Sequence, residues 1–285
     1  MRTCANGVFR CLLLLAAVAW LAAPLPGETL AERTLKEIYA RQTDILAKAD
    51  KAGDDVDVAW LRGELQTVIN SYDVLIQKNP DFAAAYVPYG MLLGKVGMRK
   101  EGTAILLKAN KLDPGIPVVK NQIANYLVDD GHPVDALPWI MAALDLAPKE
   151  PLYHYQLGEL LSTSRDDFLR EGNFTRAALD KTMIEAFAHA VEFAPDNVEY
   201  AYRLGKAYYE IETPRWDDAL AVWTKLELYP VSARMRQLVK LQKANVLIKL
   251  DRKQEASDLL QGVTDPKMAP EKQTLLDQLA PKPEK

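Results

Sequence analysis

Cysteine is almost missing from this sequence. Its 285 residues include two, Cys4 and Cys11, and only three histidines, too few to build a structural zinc site. Charge of one sign is equally scarce: 35 Lys+Arg stand against 39 Asp+Glu, a formal net charge of −4. Non-specific nucleic-acid binding needs a concentrated basic excess to displace counterions from phosphates, and that excess is not here. No Gly-rich phosphate loop, no G-x-S-x-G elbow and no H-E-x-x-H pair occurs. What is present is the material of a globular core, with 49% hydrophobic and 26% charged residues. Disordered tails and low-complexity fibres are excluded by that balance.

The first 27 residues stand apart. They contain Arg2 and Arg10 but no acid, then an apolar run over 11–23, then Pro24-Leu25-Pro26-Gly27. A positive start, a short apolar stretch and small or helix-breaking residues mark a secretory signal peptide. The run falls short of the roughly 20 apolar residues that span a bilayer. Cleavage is expected near Gly27, with an uncleaved anchor as the competing reading. Losing Arg2 and Arg10 leaves 33 basic against 39 acidic residues, a net charge of −6. Both cysteines leave too, so the exported chain carries no thiol, which suits an oxidising compartment.

Prolines then set a period. Pro80, Pro114, Pro148, Pro195, Pro230 and Pro266 are separated by 34, 34, 47, 35 and 36 residues, the spacing of a solenoid. Gly90, Ala124, Gly158, Gly205 and Ala244 recur in the first half of each unit. Gly102, Ala136, Ala219 and Ala256 recur in the second, with Met183 in that slot of the third. Around them apolar residues repeat at helical intervals: Tyr86, Tyr89 and Leu93; Leu157 and Leu161; Ile140, Ala143 and Leu144. Even Gly115-Ile-Pro-Val-Val, the best strand candidate, falls in phase with a helix. Two helices come within about 8–10 Å only where facing side chains are small. A small residue on each helix meets that need, and the prolines end the second helix of each pair.

Together these residues resemble the tetratricopeptide repeat, a 34-residue helix pair with the pattern W-x2-L-G-x2-Y…A-x3-F…P. The units read Tyr86, Tyr89, Gly90, Leu93, Gly102, Leu106, Pro114; then Lys120, Ile123, Ala124, Leu127, Ala136, Ile140, Pro148. Next come His154, Leu157, Gly158, Leu161, Met183, Phe187, Pro195, and Ala201, Leu204, Gly205, Tyr208, Ala219, Trp223, Pro230. A last reads Lys240, Lys243, Ala244, Leu247, Ala256, Leu260, Pro266; with Lys243 in an apolar slot it has the look of a capping repeat. The resemblance implies an all-α fold, a right-handed α-solenoid of about five antiparallel helix pairs.

Residues 28–80 read as an amphipathic helical pair over 28–51 and 56–79, a degenerate repeat covering the open end. The solenoid takes 81–266, and 267–285 form a short helix over 271–280 and a frayed tail. The third unit is 13 residues longer than the first two, and the extra length lies between its helices, at about 162–175. It reads as a tolerated loop with an extended second helix, or as a binding element. The triplet Asn173-Phe174-Thr175 inside it fits an N-glycosylation sequon.

Catalytic chemistry finds no purchase. His132, His154 and His189 lack ligand spacing and read as structural or surface residues, with no metal and no cofactor expected. Asp129-Asp130, Asp166-Asp167 and Asp217-Asp218 read as helix caps. Recognition by the inner surface fits better. On each first helix the residues opposite the packing face should point outward: Met91 and Lys95; Asn121 and Asn125; Tyr155 and Glu159; Tyr202, Lys206 and Tyr209; Leu241 and Asn245. Stacked repeats should join them into one concave stripe whose Tyr and Asn suit a peptide backbone. As surface positions, Asn121, Asn125 and Tyr155 should cost within about 0.5 kcal/mol when changed. Relatives that clamp a terminal carboxylate use several Lys and Arg beside Asn; Glu159 and Glu199 oppose that specificity here. The expectation is an exported, non-enzymatic scaffold of a bacterial envelope, periplasmic or secreted. It would bind a protein or peptide, with no nucleic acid and no membrane span. The alternative is a periplasmic small-ligand or lipid binder, which needs an enclosed apolar pocket.

Overall fold

A computed structural model describes residues 28–280. The expected signal peptide and the tail after 280 lie outside them. The described residues are helical throughout, without a strand, and the chain divides into two units at Ala147/Pro148. No described helix is long and apolar enough to cross a membrane.

Unit 1 contains α1 (Leu30–Ala52), α2 (Val58–Lys78), α3 (Ala83–Lys95), α4 (Arg99–Leu112), α5 (Pro117–Asp129) and α6 (Pro133–Leu146). Local chemistry sets their starts. Thr29 and Glu32 form a reciprocal capping box on α1, and the Asp57 carboxylate accepts from the first N–H groups of α2. Pro117 and Pro133 open α5 and α6, where a missing N–H costs nothing. The α3–α4 and α5–α6 turns share one device. Gly97 and Gly131 take φ of 90° and 83°, and the next N–H reaches back to a carbonyl five residues earlier, Met98 to Leu93 and His132 to Leu127.

Pairing buries one face of each helix. Leu35, Ile45, Val68, Tyr72, Leu92 and Leu93 form the first core. Tyr72 stacks on Tyr89 at 5.3 Å, and its hydroxyl donates to the buried Gln42 amide oxygen at 2.9 Å. Burial pushes the Tyr72 hydroxyl well above its ordinary range. A second core joins Leu106, Ala109, Val119, Ile123 and Tyr126. Gly115-Ile-Pro-Val-Val enters a helix, as its phase indicates.

Unit 2 contains α7 (Pro151–Thr163), α8 (Arg165–Arg170), α9 (Arg176–Phe193), α10 (Val198–Ala207), α11 (Trp216–Leu226), α12 (Ala233–Lys249), α13 (Lys253–Gln261) and α14 (Ala269–Leu279). The α12–α13 turn repeats the device of unit 1, with Arg252 N–H on Leu247 O, but Asp251 holds the left-handed position at φ 57°. Leu275 of α14 joins Leu241, Leu247 and Leu260 in a core at the carboxyl end.

The close crossings fall at the recurrent glycines. A Cβ on Gly90 would lie 2.7 Å from the Leu106 side chain, on Gly158 2.6 Å from the Phe187 ring, and on Gly205 2.5 Å from the Trp223 ring. Each first-helix glycine is thus a notch that receives a large side chain of the second helix. At Gly90 and Gly102 small is also set against small, as expected from sequence: a Cβ on Gly102 would lie 2.7 Å from the Gly90 carbonyl. Phe187 and Trp223 are fully buried in their notches.

Extra length in the third unit folds back onto the solenoid. Phe168 of α8 is fully buried with Phe174 edge-on at 5.8 Å, and the α8–α9 turn passes through Gly172 at φ 72°.

Gly205→Leu has no room beside Trp223 and should destabilise the protein by about 1–3 kcal/mol. Urea unfolding of variant and wild type measures this, and equal midpoints would remove Gly205 from the crossing.

Candidate functional site

The first helices of each unit form a wall whose side chains differ in kind. In unit 1 the wall is α3 and α5. Met91 is half-buried and Lys95 exposed. Asn121, expected at the surface, is fully buried, and neither its amide oxygen nor its amide nitrogen has a hydrogen-bond partner. Asn125, one turn on, is half-buried with its amide nitrogen likewise unpaired, and the Gln122 carbonyl oxygen is stranded beside them. Helix periodicity gives Asn121 a direction but says nothing of what covers that side. Nearby, the Tyr126 hydroxyl donates to the Gly90 carbonyl at 3.2 Å, and burial pushes that phenol up to about 12.

In unit 2 the wall is α7, α10 and α12. Tyr155, also expected at the surface, is 9% exposed. It stacks on Tyr200 at 4.7 Å and meets Phe187 edge-on at 5.8 Å. Its ring belongs to the core, so truncation would cost several times the 0.5 kcal/mol of a surface site. Glu159 pairs with Arg203, which also donates to Glu210 at 2.9 Å and to the Ser162 hydroxyl at 2.6 Å. The Arg203 guanidinium lies 4.4 Å from the centre of the Phe187 ring. Tyr202 is edge-on to Trp223 at 5.3 Å, and Lys206 sits 5.4 Å over Tyr209. The Tyr209 hydroxyl donates to the Gln242 carbonyl at 2.9 Å, linking the turn after α10 to α12. Asn245 is half-buried, whereas Leu241, expected to face outward, is wholly in the carboxyl-end core.

The ion-pair hub of this wall escaped sequence reasoning. Arg176 holds Asp180 through two 2.9 Å bonds and donates to the Glu210 carbonyl, while Asp180 accepts from the Glu212 N–H at 2.7 Å. Arg165 of α8 lies 3.8 Å from both Asp180 and Glu210. The insertion is therefore bolted to the wall by charge. Arg203 lies on α10 and Glu210, seven residues on, in the turn that follows it, and this proximity in sequence is the one local signal. Glu159 lies 44 residues from Arg203 and gives none.

Burial raises the Glu159 carboxyl above its ordinary value, opposed by Arg203. Burial pulls Arg203 down, but Glu159 and Glu210 carry its net shift upward. The arrangement positions and neutralises; its cation is already spoken for by two carboxylates. Asp129 and Asp130 lie at the end of α5, both held by Arg99, and are not N-caps. Asp166 and Asp217 do occupy first turns, those of α8 and α11. Among the described residues no group of three or more His, Cys, Asp or Glu is gathered to hold a metal. A cleft of about 610 Å³ between α1 and α2 has Leu30 and Val74 on its lining, 78% and 48% exposed, so it opens to water.

No protein-family model and no curated protein matches this sequence. Solved structures do. YrrB, described as a TPR protein with an unusual peptide-binding site, is 17% identical, with a TM-score of 0.57 over 72% of this chain and 96% of that one. PilF of Pseudomonas aeruginosa is 12% identical, at 0.58 over 87% and 99%. PilW, a type IV pilus biogenesis factor, is 11% identical, at 0.55 over 87% and 99%. The fold is that of the tetratricopeptide-repeat solenoids.

Two outcomes follow for stability. Asn121→Leu exchanges an unpaired buried amide for an apolar group of similar size, and thermal melting should show a gain of about 1 kcal/mol; a loss would mean the amide is paired. Arg203→Met strands two carboxylates and should cost about 3 kcal/mol at pH 7. Glu159 binds its proton more tightly folded than unfolded, so its contribution is most favourable when protonated and falls as pH rises through the raised pKa. Without Arg203 that fall steepens, and the loss should be smaller at pH 4 than at pH 7 in urea melts; equal losses would dissociate Glu159 from the effect.

Proposed function

We propose that this chain, a tetratricopeptide-type solenoid, is an exported, non-enzymatic scaffold or adaptor that holds a partner peptide or protein on its first-helix walls. The observation that carries the reading is Asn121. A buried amide with neither atom paired costs about 1–3 kcal/mol. A folded protein that keeps such a group gains from it when a docking partner displaces the side chains that cover it and supplies the missing donor and acceptor, and a peptide backbone offers both. Asn125, one turn away with its own unpaired nitrogen, extends the same capacity. In unit 2 the half-buried Glu159, Tyr202, Lys206, Tyr209 and Asn245 are assigned to the same role, with the rings of Tyr202 and Tyr209 as stiff anchors, while Tyr155, packed into the core, supports that wall. Met91 and Lys95 flank the asparagines.

Further support comes from the solved structures, since YrrB is described by its peptide-binding site. Export rests on residues 1–27, with their basic start and short apolar run. Non-enzymatic action is consistent with a wall whose carboxylates are occupied by arginines. A small-ligand role would need enclosure, and the cleft between α1 and α2 is open.

Co-purification from an envelope extract under mild crosslinking tests the reading. The Asn121→Leu, Asn125→Leu variant should fold normally yet lose the captured partners. If it keeps them while Glu171→Ala, Asn173→Ala on the exposed tip of the insertion loses them, recognition belongs to the insertion. Amino-terminal sequencing of the protein from the producing cell should begin near Glu28; a terminus at Met1 would overturn cleavage.

A further inference from the structure

Two of the three histidines, far apart in sequence, meet in unit 2. His154 of α7 and His189 of α9 have ring centroids 5.0 Å apart with planes at 69°. Phe193 flanks both, at 5.3 Å from His154 and 5.9 Å from His189. His154 Nε2 lies 2.8 Å from the Pro148 carbonyl oxygen. A carbonyl can only accept, so Nε2 carries the hydrogen. The neutral ring must then present its lone pair at Nδ1. That Nδ1 is buried and has no hydrogen-bond partner.

Packing alone does not account for this arrangement. A phenyl ring would fill the same space against Phe193 without stranding a lone pair, which carries a desolvation penalty. Holding one ring N–H on a backbone carbonyl is, in contrast, how proteins fix the tautomer and orientation of a metal-bound imidazole. The separation fits as well: two nitrogens about 2.0–2.1 Å from one tetrahedral ion put the ring centres about 5 Å apart. Glu192, one turn after His189 on α9, adds negative charge that acts on His154.

We propose that His154 Nδ1 and His189 form a two-imidazole site for a divalent late first-row metal ion, such as Zn²⁺ or Cu²⁺, with water completing its coordination. Imidazole nitrogens suit these ions and not the hard Mg²⁺. Bound there, the ion would tie α7 to α9, the two long helices that the insertion separates in sequence. Because it binds the folded chain, it would raise the melting temperature, and above the dissociation constant that rise grows with the logarithm of the ion's concentration.

Calorimetric titration of the untagged protein with ZnCl₂ tests the site. One ion should bind per chain, with a higher melting temperature in its presence and no heat from MgCl₂. His189 is exposed, so His189→Gln should fold as wild type and weaken Zn²⁺ binding by about tenfold or more. His154→Gln should do the same, and His132→Gln should change nothing. If His154→Gln folds poorly, His189→Gln decides alone. Wild-type affinity in His189→Gln, or no binding to the wild type up to about 1 mM, overturns the proposal.

Discussion

A large side chain seated in a glycine notch is the interaction on which this architecture depends. Leu106 over Gly90, Phe187 over Gly158 and Trp223 over Gly205 each bring two helices close enough to exclude water between them. Added Cβ atoms would overlap the seated side chain, and helices pushed apart would strip contacts from a core that is packed at crystal-like density. A glycine inside a helix loses about 1 kcal/mol of intrinsic propensity relative to alanine, which the burial of a leucine, phenyl or indole side chain more than offsets. The aromatic rings of the first-helix wall depend on the same seats. Phe187, held in the Gly158 notch, touches both Tyr155 and Arg203, and Trp223, held over Gly205, touches Tyr202.

Charge performs a second, more local task. Three arginines and three carboxylates meet where α7, α9 and α10 converge with the insertion. Such a network adds little net stability, because desolvation consumes much of the attraction, but breaking it is costly. What it adds is position. Arg165 within the insertion and Arg176 just after it draw it to Asp180 and Glu210, while Phe168 is buried beneath. Its tip, Glu171-Gly172-Asn173, is left exposed. The two walls differ in emphasis: unit 1 has the Asn121 and Asn125 amides without partners, whereas unit 2 is dominated by joined charges and stacked rings, with the Gln156 amide oxygen left unpaired.

Particular residues show where a reading of the chain stops. The periodic Gly, Ala and Pro positions are local signals, and their crossings could be named from spacing alone. Asp251 shows that a turn can be built without its signal, since it adopts the left-handed conformation that Gly97 and Gly131 take elsewhere. Asn121 and Tyr155 show a different boundary. A helical wheel reports direction, whereas burial depends on which side chains arrive from other helices. His154 and His189 each look like an isolated histidine until α7 and α9 pair.

The amino-acid sequence by itself determined the helices, their pairing and the places where pairs touch, because 3.6-residue periodicity, caps and small residues act within one or two turns of the chain. Only the tertiary structure decided which polar groups are joined and which are stranded. A hydrogen bond or ion pair is settled within about 3 Å, and such distances between residues like Glu159 and Arg203, 44 positions apart, do not exist until the helices have packed.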